Sequence, residues 1–221
     1  MKYPLTPDVN SQTVSIKQLS GLIRVINTIS QQTQPEIFTH VQPHAHATAK
    51  LARQFAAAVE CSGGSSCPTL EEIEFGAHLH DVGKYFIAAS VLLKPGALDE
   101  EERAAVCLHS VIGATVISKL PEATEAIRHV VLYHHEHWDG SGYPEGLCGS
   151  AIPLVARIIS IVDVYTSLRS RRSYKPMLTK QEAIAILIGM AGRELDPCIV
   201  EDFLILIENR QPMAKRIRIF I

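Results

Sequence analysis

Apolar residues along this chain fall mostly at three- and four-residue spacings, the period of an α-helix with one buried face. Ile16, Leu19, Leu22, Ile23 and Ile26 form one such stripe and predict a helix over 14–29. Ala49, Leu51, Ala52 and Phe55 mark the inner side of a second, expected over 44–59, after Pro35 and Pro43 have punctuated the chain. Thr69 and Glu72 have the spacing of a capping box, so a helix should run over 71–80. Further helical patterns cover 99–118, 121–135, 153–168, 179–191 and 197–209. The Gly/Ser-rich stretch 61–68 and the segment Asp-Gly-Ser-Gly-Tyr-Pro at 139–144 break the pattern and predict loops. Alternation hints at a strand only in the tail, 216–221, and no repeat is visible. The expected fold class is all-α, a helical bundle. An irregular lead-in and helix should occupy 1–35, the main helical domain 36–210 and a tail 211–221.

Length and composition narrow the function classes. A chain of 221 residues, 47% hydrophobic, is long enough for one sizeable core and short of two large domains. Apolar runs such as 183–191 reach about half the ~18–20 residues a membrane span needs. The polar N-terminus lacks the features of a signal peptide, so a cytoplasmic setting without a membrane partner is expected. A net charge of −2 makes long nucleic acid a poor partner, and an anionic substrate would have to be drawn by a local site. Five cysteines, an odd number without repeated close pairs, argue against a disulfide framework and a thiolate zinc site. Cys61 and Cys67 read as two thiols on a flexible loop. Ten histidines stand out.

Several of those histidines occupy places where metal ligands would be useful. His80-Asp81 ends a helical segment, which alone says little. His44 opens an earlier helix, His109 lies inside a later one, and His134-His135 stand together at the end of another. Asp163 sits among Ile158, Ile159, Ile161, Val162, Val164 and Tyr165, where an unpaired carboxylate would be costly and calls for a partner such as a cation. Five imidazoles and two carboxylates without a thiolate suit iron or manganese better than structural zinc. Seven ligands exceed the needs of one ion. Two ions sharing a bridging carboxylate, with a water or hydroxide between them, would suit phosphoryl chemistry.

At this point the motifs carry a resemblance. His80-Asp-Val-Gly-Lys84 resembles the defining motif of HD-domain phosphohydrolases, and His134-His-Glu-His-Trp-Asp-Gly-Ser-Gly-Tyr-Pro144 resembles the signature of their HD-GYP subfamily. Leu93-Lys-Pro-Gly96, His109-Ser-Val-Ile-Gly113, Ile152-Pro-Leu-Val-Ala-Arg157 and Asp196-Pro197 keep the family's order, so the likeness spans about 44–203. It implies a metal site in the core of a helical bundle and hydrolysis of cyclic di-GMP to the linear dinucleotide pGpG and onward to GMP. His44, His80, Asp81 and Asp163 would hold one ion. Asp81 would bridge to a second, held by His109, His134 and His135. Lys84 would reach the scissile phosphate, while Arg172 and Lys175 stand where the family has cationic substrate contacts. Thr166 replaces an aspartate and Ala88 a common proline. Thr166 keeps open another substrate, such as cyclic GMP-AMP, and a weakly active binding or interaction module is the alternative of a different class. Some relatives hold a third ion through a position that is His40 here, with Pro43 between it and His44. His46, His78, His129 and His137 are expected at the surface or in packing. Regulatory protein partners are expected of the family, and the first helix would cap the bundle or make a homodimer contact.

Overall fold

The computed structural model describes residues 16–61, 67–170, 177–209 and 217–219. Among them are ten α-helices: α1 (Ile16–Thr33), α2 (Pro35–Ala58), α3 (Leu70–Leu79), α4 (Ala89–Leu92), α5 (Glu100–Cys107), α6 (His109–Ile117), α7 (Glu125–Tyr133), α8 (Leu154–Arg169), α9 (Lys180–Met190) and α10 (Pro197–Ile207). Two three-residue strands, β1 (Val59–Cys61) and β2 (Ile217–Ile219), pair in parallel. The all-α expectation holds apart from this ribbon, whose first strand is too short to show a period. No described helix is long and apolar enough to cross a membrane.

Capping chemistry sets many of the helix starts. Thr69 accepts from Glu72 N while the Glu72 carboxylate accepts from Thr69 N, the expected box, and the same reciprocal pair opens α5 (Asp99, Glu102) and α9 (Thr179, Glu182). Five expectations need correction. The second helix begins at Pro35 and not at His44, because a proline at the first helical position loses no bond. Pro43, read as punctuation, lies inside α2 at an exposed position, where the carbonyl its ring leaves unbonded can face water. The helix expected over 99–118 is two, meeting at Leu108, where α6 starts afresh with His109. The one expected over 121–135 starts later, behind the Thr124 cap. Cys67 is disulfide-bonded, against the reading of two thiols.

Two apolar clusters hold the bundle. One gathers Phe55, Ile73, Ile159, Val162, Leu187 and Phe203, with the Phe55 and Phe203 rings edge to face at 5.1 Å. The other gathers Ile37, Val41, Leu79, Val82, Ile117 and Ile127, and Ile23 and Ile26 of α1 pack against it. The first helix therefore caps the bundle. Helix α8 is buried almost all round, as a helix without a polar face must be. At its start the buried Arg157 bonds Asp196 Oδ2 at 2.7 Å and the Ile152 carbonyl at 2.9 Å. Asp196 also caps α10 through Cys198 N and Ile199 N.

The tightest backbone approach lies between the 3-10 turn Val82–Phe86 and α6: a Cβ on Gly83 would stand 1.8 Å from the His109 carbonyl oxygen. Gly83→Ala should therefore cost about 3 kcal/mol or more, read from denaturant unfolding, because backbone and not a movable side chain is in the way. Asp196→Ala should cost about 3–5 kcal/mol in the same measurement, since it strands the Arg157 charge and uncaps α10 together.

Candidate metal centre

Helix ends deliver most of the candidate ligands. Helix α3 stops at Leu79, and the chain tightens through His80 and Asp81 into the 3-10 turn. Two consecutive side chains thereby enter the interior, His80 fully buried and Asp81 2% exposed. His109 is the first residue of α6, and His134 and His135 follow the last residue of α7. His44 comes from the middle of α2 and Asp163 from the buried α8.

These seven side chains converge as two groups. Asp81, His109, His134 and His135 bring ligand atoms within 4.8 Å of one another, and so do His44, His80 and Asp163. Asp81 stands between the groups. Its Oδ1 lies 3.3 Å from His109 Nε2 and 3.8 Å from His134 Nε2, and its Oδ2 lies 3.3 Å from His80 Nε2. His44 Nε2 meets Asp163 Oδ1 at 2.5 Å, with His80 Nε2 at 3.5 Å from the same oxygen. Lys84 Nζ lies 2.5 Å from Asp81 Oδ2.

The donor atoms fit a cation. His80, His109 and His134 each donate Nδ1–H to a carbonyl at the helix end behind them, Ala77 at 2.7 Å, Val106 at 2.7 Å and Val130 at 3.0 Å. That bond leaves each Nε2 lone pair aimed inward. His109 Nε2 and His134 Nε2 then face each other at 3.4 Å, an approach that two lone pairs make only with a positive group between or beside them. His80 Nε2 and Asp81 Oδ1 are buried with no hydrogen-bond partner.

Electrostatics agree. Burial pushes His109 down against the pull of Asp81, drives His134 well down with help from the His135 ring, and takes His135 to about 3. These rings are neutral and able to ligate. Burial also opposes ionisation of Asp81 and Asp163, but His80 and Lys84 around the first, and His44 and His80 around the second, hold both well below the usual carboxylate range. For His80, burial is outweighed by Asp81 and Asp163, which raise it to about 10. Asp81 Oδ2 at 3.3 Å and Asp163 Oδ1 at 3.5 Å both face His80 Nε2, so the raised pKa expresses the demand of two buried anions for positive charge.

Behind the second group, the loop after α7 is folded back tightly. The Tyr143 ring stacks on His135 at 4.8 Å and 27°. A Cβ on Gly142 would stand 2.2 Å from His137 N, and Gly140 and Gly146 have φ of +83° and +68°, which explains three glycines in so short a stretch. Glu136, which sequence reasoning passed over, is 2% exposed and accepts from the backbone N–H groups of Glu145 and Leu147. In the sequence it is one more acid beside a histidine, and only its burial sets it apart.

Other sequence-singled residues fall elsewhere. His40 lies on α2 one turn before His44, exposed, and in neither ligand group. His46 is exposed, His137 bonds Ser141, and His129 lies beside Glu125. Thr166 is buried and bonded to Thr48 of α2 at 2.8 Å. Arg172 and Lys175 lie outside the described residues.

The HD domain family's sequence pattern matches residues 25–199. A probable cyclic di-GMP phosphodiesterase of Vibrio cholerae serotype O1 is 32% identical over 203 residues, 89% of this chain and 46% of that protein. The cyclic di-GMP phosphodiesterase response regulator RpfG of Xanthomonas campestris is 45% identical over 133 residues, 60% of this chain and 35% of its own length. The chain thus spans less than half of either relative. Among solved structures, a cyclic GMP-AMP specific phosphodiesterase of V. cholerae superposes with a TM-score of 0.59 at 24% identity, over 87% of this chain and 49% of that one. With the paired histidines and the Gly-Tyr-Pro loop in place, the chain belongs to the HD domain family, in its HD-GYP branch.

Proposed function

We propose that this chain is a metal-dependent phosphodiesterase that hydrolyses cyclic di-GMP to linear pGpG. The observation that carries the reading is Asp81, a buried carboxylate with one oxygen toward each histidine group. Asp81, His109, His134 and His135 would hold one divalent ion, and His44, His80, Asp163 and the other Asp81 oxygen a second, with iron or manganese suiting the imidazole-carboxylate set. Bound there, the ions would polarise the phosphoryl group, make water acidic enough to attack near neutral pH and steady the leaving oxygen.

The chain's own groups supply the rest. Asp81 would offer one carboxylate oxygen to each ion position. The helix-end carbonyls behind His80, His109 and His134 keep those imidazoles in the ligating tautomer. The apolar wall of α8 excludes water from the floor of the site. Lys84 is the ammonium beside the bridging carboxylate, suited to offset charge on the phosphate or give a proton to the departing 3′ oxygen. In the net reaction water adds to phosphorus, the phosphorus–3′ oxygen bond breaks, and that oxygen leaves with a proton.

A second substrate reading, cyclic GMP-AMP, is favoured by Thr166, a neutral residue where the HD-GYP resemblance leads one to expect an aspartate. Incubation of iron- or manganese-loaded protein with both cyclic dinucleotides, followed by chromatography of the products, tests the pair. Linear pGpG is the expected first product. Absence of turnover with either metal, reduced or oxidised, defeats the enzymatic reading and leaves a binding module, as would a metal content well below two ions per chain. Asp81→Ala and His135→Ala should each lower turnover by more than about 100-fold with circular dichroism unchanged, since even partners of ligands are worth about 10–100-fold.

A further inference from the structure

Three carboxylate residues are buried among the described residues, Asp81, Glu136 and Asp196. Asp81 has Lys84 and Asp196 has Arg157, whereas the Glu136 carboxylate is held by backbone alone. Its Oε1 accepts from Glu145 N at 2.7 Å and its Oε2 from Leu147 N at 2.9 Å. Glutamine could not replace it, because the amide group would set a donor against one of those N–H donors.

What the clasp holds in place is Tyr143. From the other side Tyr143 N donates to the His135 carbonyl at 3.1 Å, so the segment is pinned at both ends. Between those pins the Tyr143 ring lies flat on the His135 ring and edge-on to His109, with centroids at 4.8 Å and 6.4 Å. The need for this support is specific to His135. His80, His109 and His134 are oriented by their own Nδ1 bonds, but no hydrogen bond of the His135 side chain occurs among the described residues. Stacking is left to orient it.

We propose that Glu136 is a positioning residue of the metal centre: by clasping the loop it presses Tyr143 onto His135 and so fixes the imidazole that completes the Asp81–His109–His134 group. Its metal arm rests on the two-ion reading above; its structural arm does not.

Histidine-ring NMR and metal analysis on the whole chain test it, with Glu136→Gln and Tyr143→Leu as variants. In the unaltered protein the His135 ring protons should be shifted upfield by the stacked phenol. Glu136→Gln should return them toward free imidazole, leave the His44 and His80 ring signals in place, and weaken one ion of two by about 10–100-fold. Tyr143→Leu keeps the clasp and removes the stack, and should weaken that same ion even where Glu136→Gln yields too little folded protein. An unmoved His135 signal in Glu136→Gln overturns the proposal. So does retention of both ions at full affinity in Tyr143→Leu. Should the unaltered protein take up fewer than two ions, the two-ion reading fails, and the ring signal still decides the role of Glu136.

Discussion

Two ionised carboxylates, Asp81 and Asp163, stand near the centre of the bundle, and burying charge is the most expensive thing this fold does. An unpaired buried ion costs several kcal/mol even after relaxation, and attraction to a partner offsets that only at close range. The structure meets the requirement with histidines gathered from four directions and a single lysine at 2.5 Å. Such an arrangement is frustrated without further positive charge, as the orphaned His80 Nε2 and Asp81 Oδ1 show. Stability must therefore come from elsewhere. The two apolar clusters on either side provide it, and α2 and α3, which carry His44 and His80, contribute to both. The ligands are held together by packing that would persist in their absence.

Helix ends turn out to be an economical way to aim imidazoles. The last carbonyls of a helix have at most a capping N–H ahead of them, so a lone pair remains to accept from a side chain. His80 takes the carbonyl of Ala77, His109 that of Val106 and His134 that of Val130. One backbone feature thus settles a ring's orientation and its tautomer together. At the break between α5 and α6 the Val106 carbonyl takes a backbone N–H as well as the His109 ring, one bond to each lone pair.

How much of this was legible in the sequence depended on whether a residue's role left a local mark. The seven candidate ligands were readable because the His-Asp and His-His pairs stood at predicted helix ends, His44 and His109 fell in the matching motif order, and Asp163 was an acid in an apolar run. Thr69 and Glu72 announced a helix start through their spacing alone. Pro35 and Pro43 misled, since proline removes one donor and the rest of α2 tolerates the loss. Glu136 and Gly83 were opaque for a different reason. Their importance lies in what faces them across the fold, two loop N–H groups for one and the His109 carbonyl for the other. A single sequence does not record such facing pairs.

The same distinction separates the metal half of the site from the substrate half. Every ligand sits on a helix or within two residues of one, and the packing around those helices leaves little latitude for them to move. Gly83 is closed against α6, and Thr166 is tied to Thr48 across the contact between α2 and α8. The run containing Arg172 and Lys175, which the HD-GYP resemblance places among substrate contacts, follows α8 in the sequence and lies outside the described residues. A chain built this way could keep the proposed metal centre while other positions around it change. That is how a protein with all seven ligands can still depart at Thr166, three residues beyond Asp163, by turning a position beside the metal centre into a buried fastener between helices.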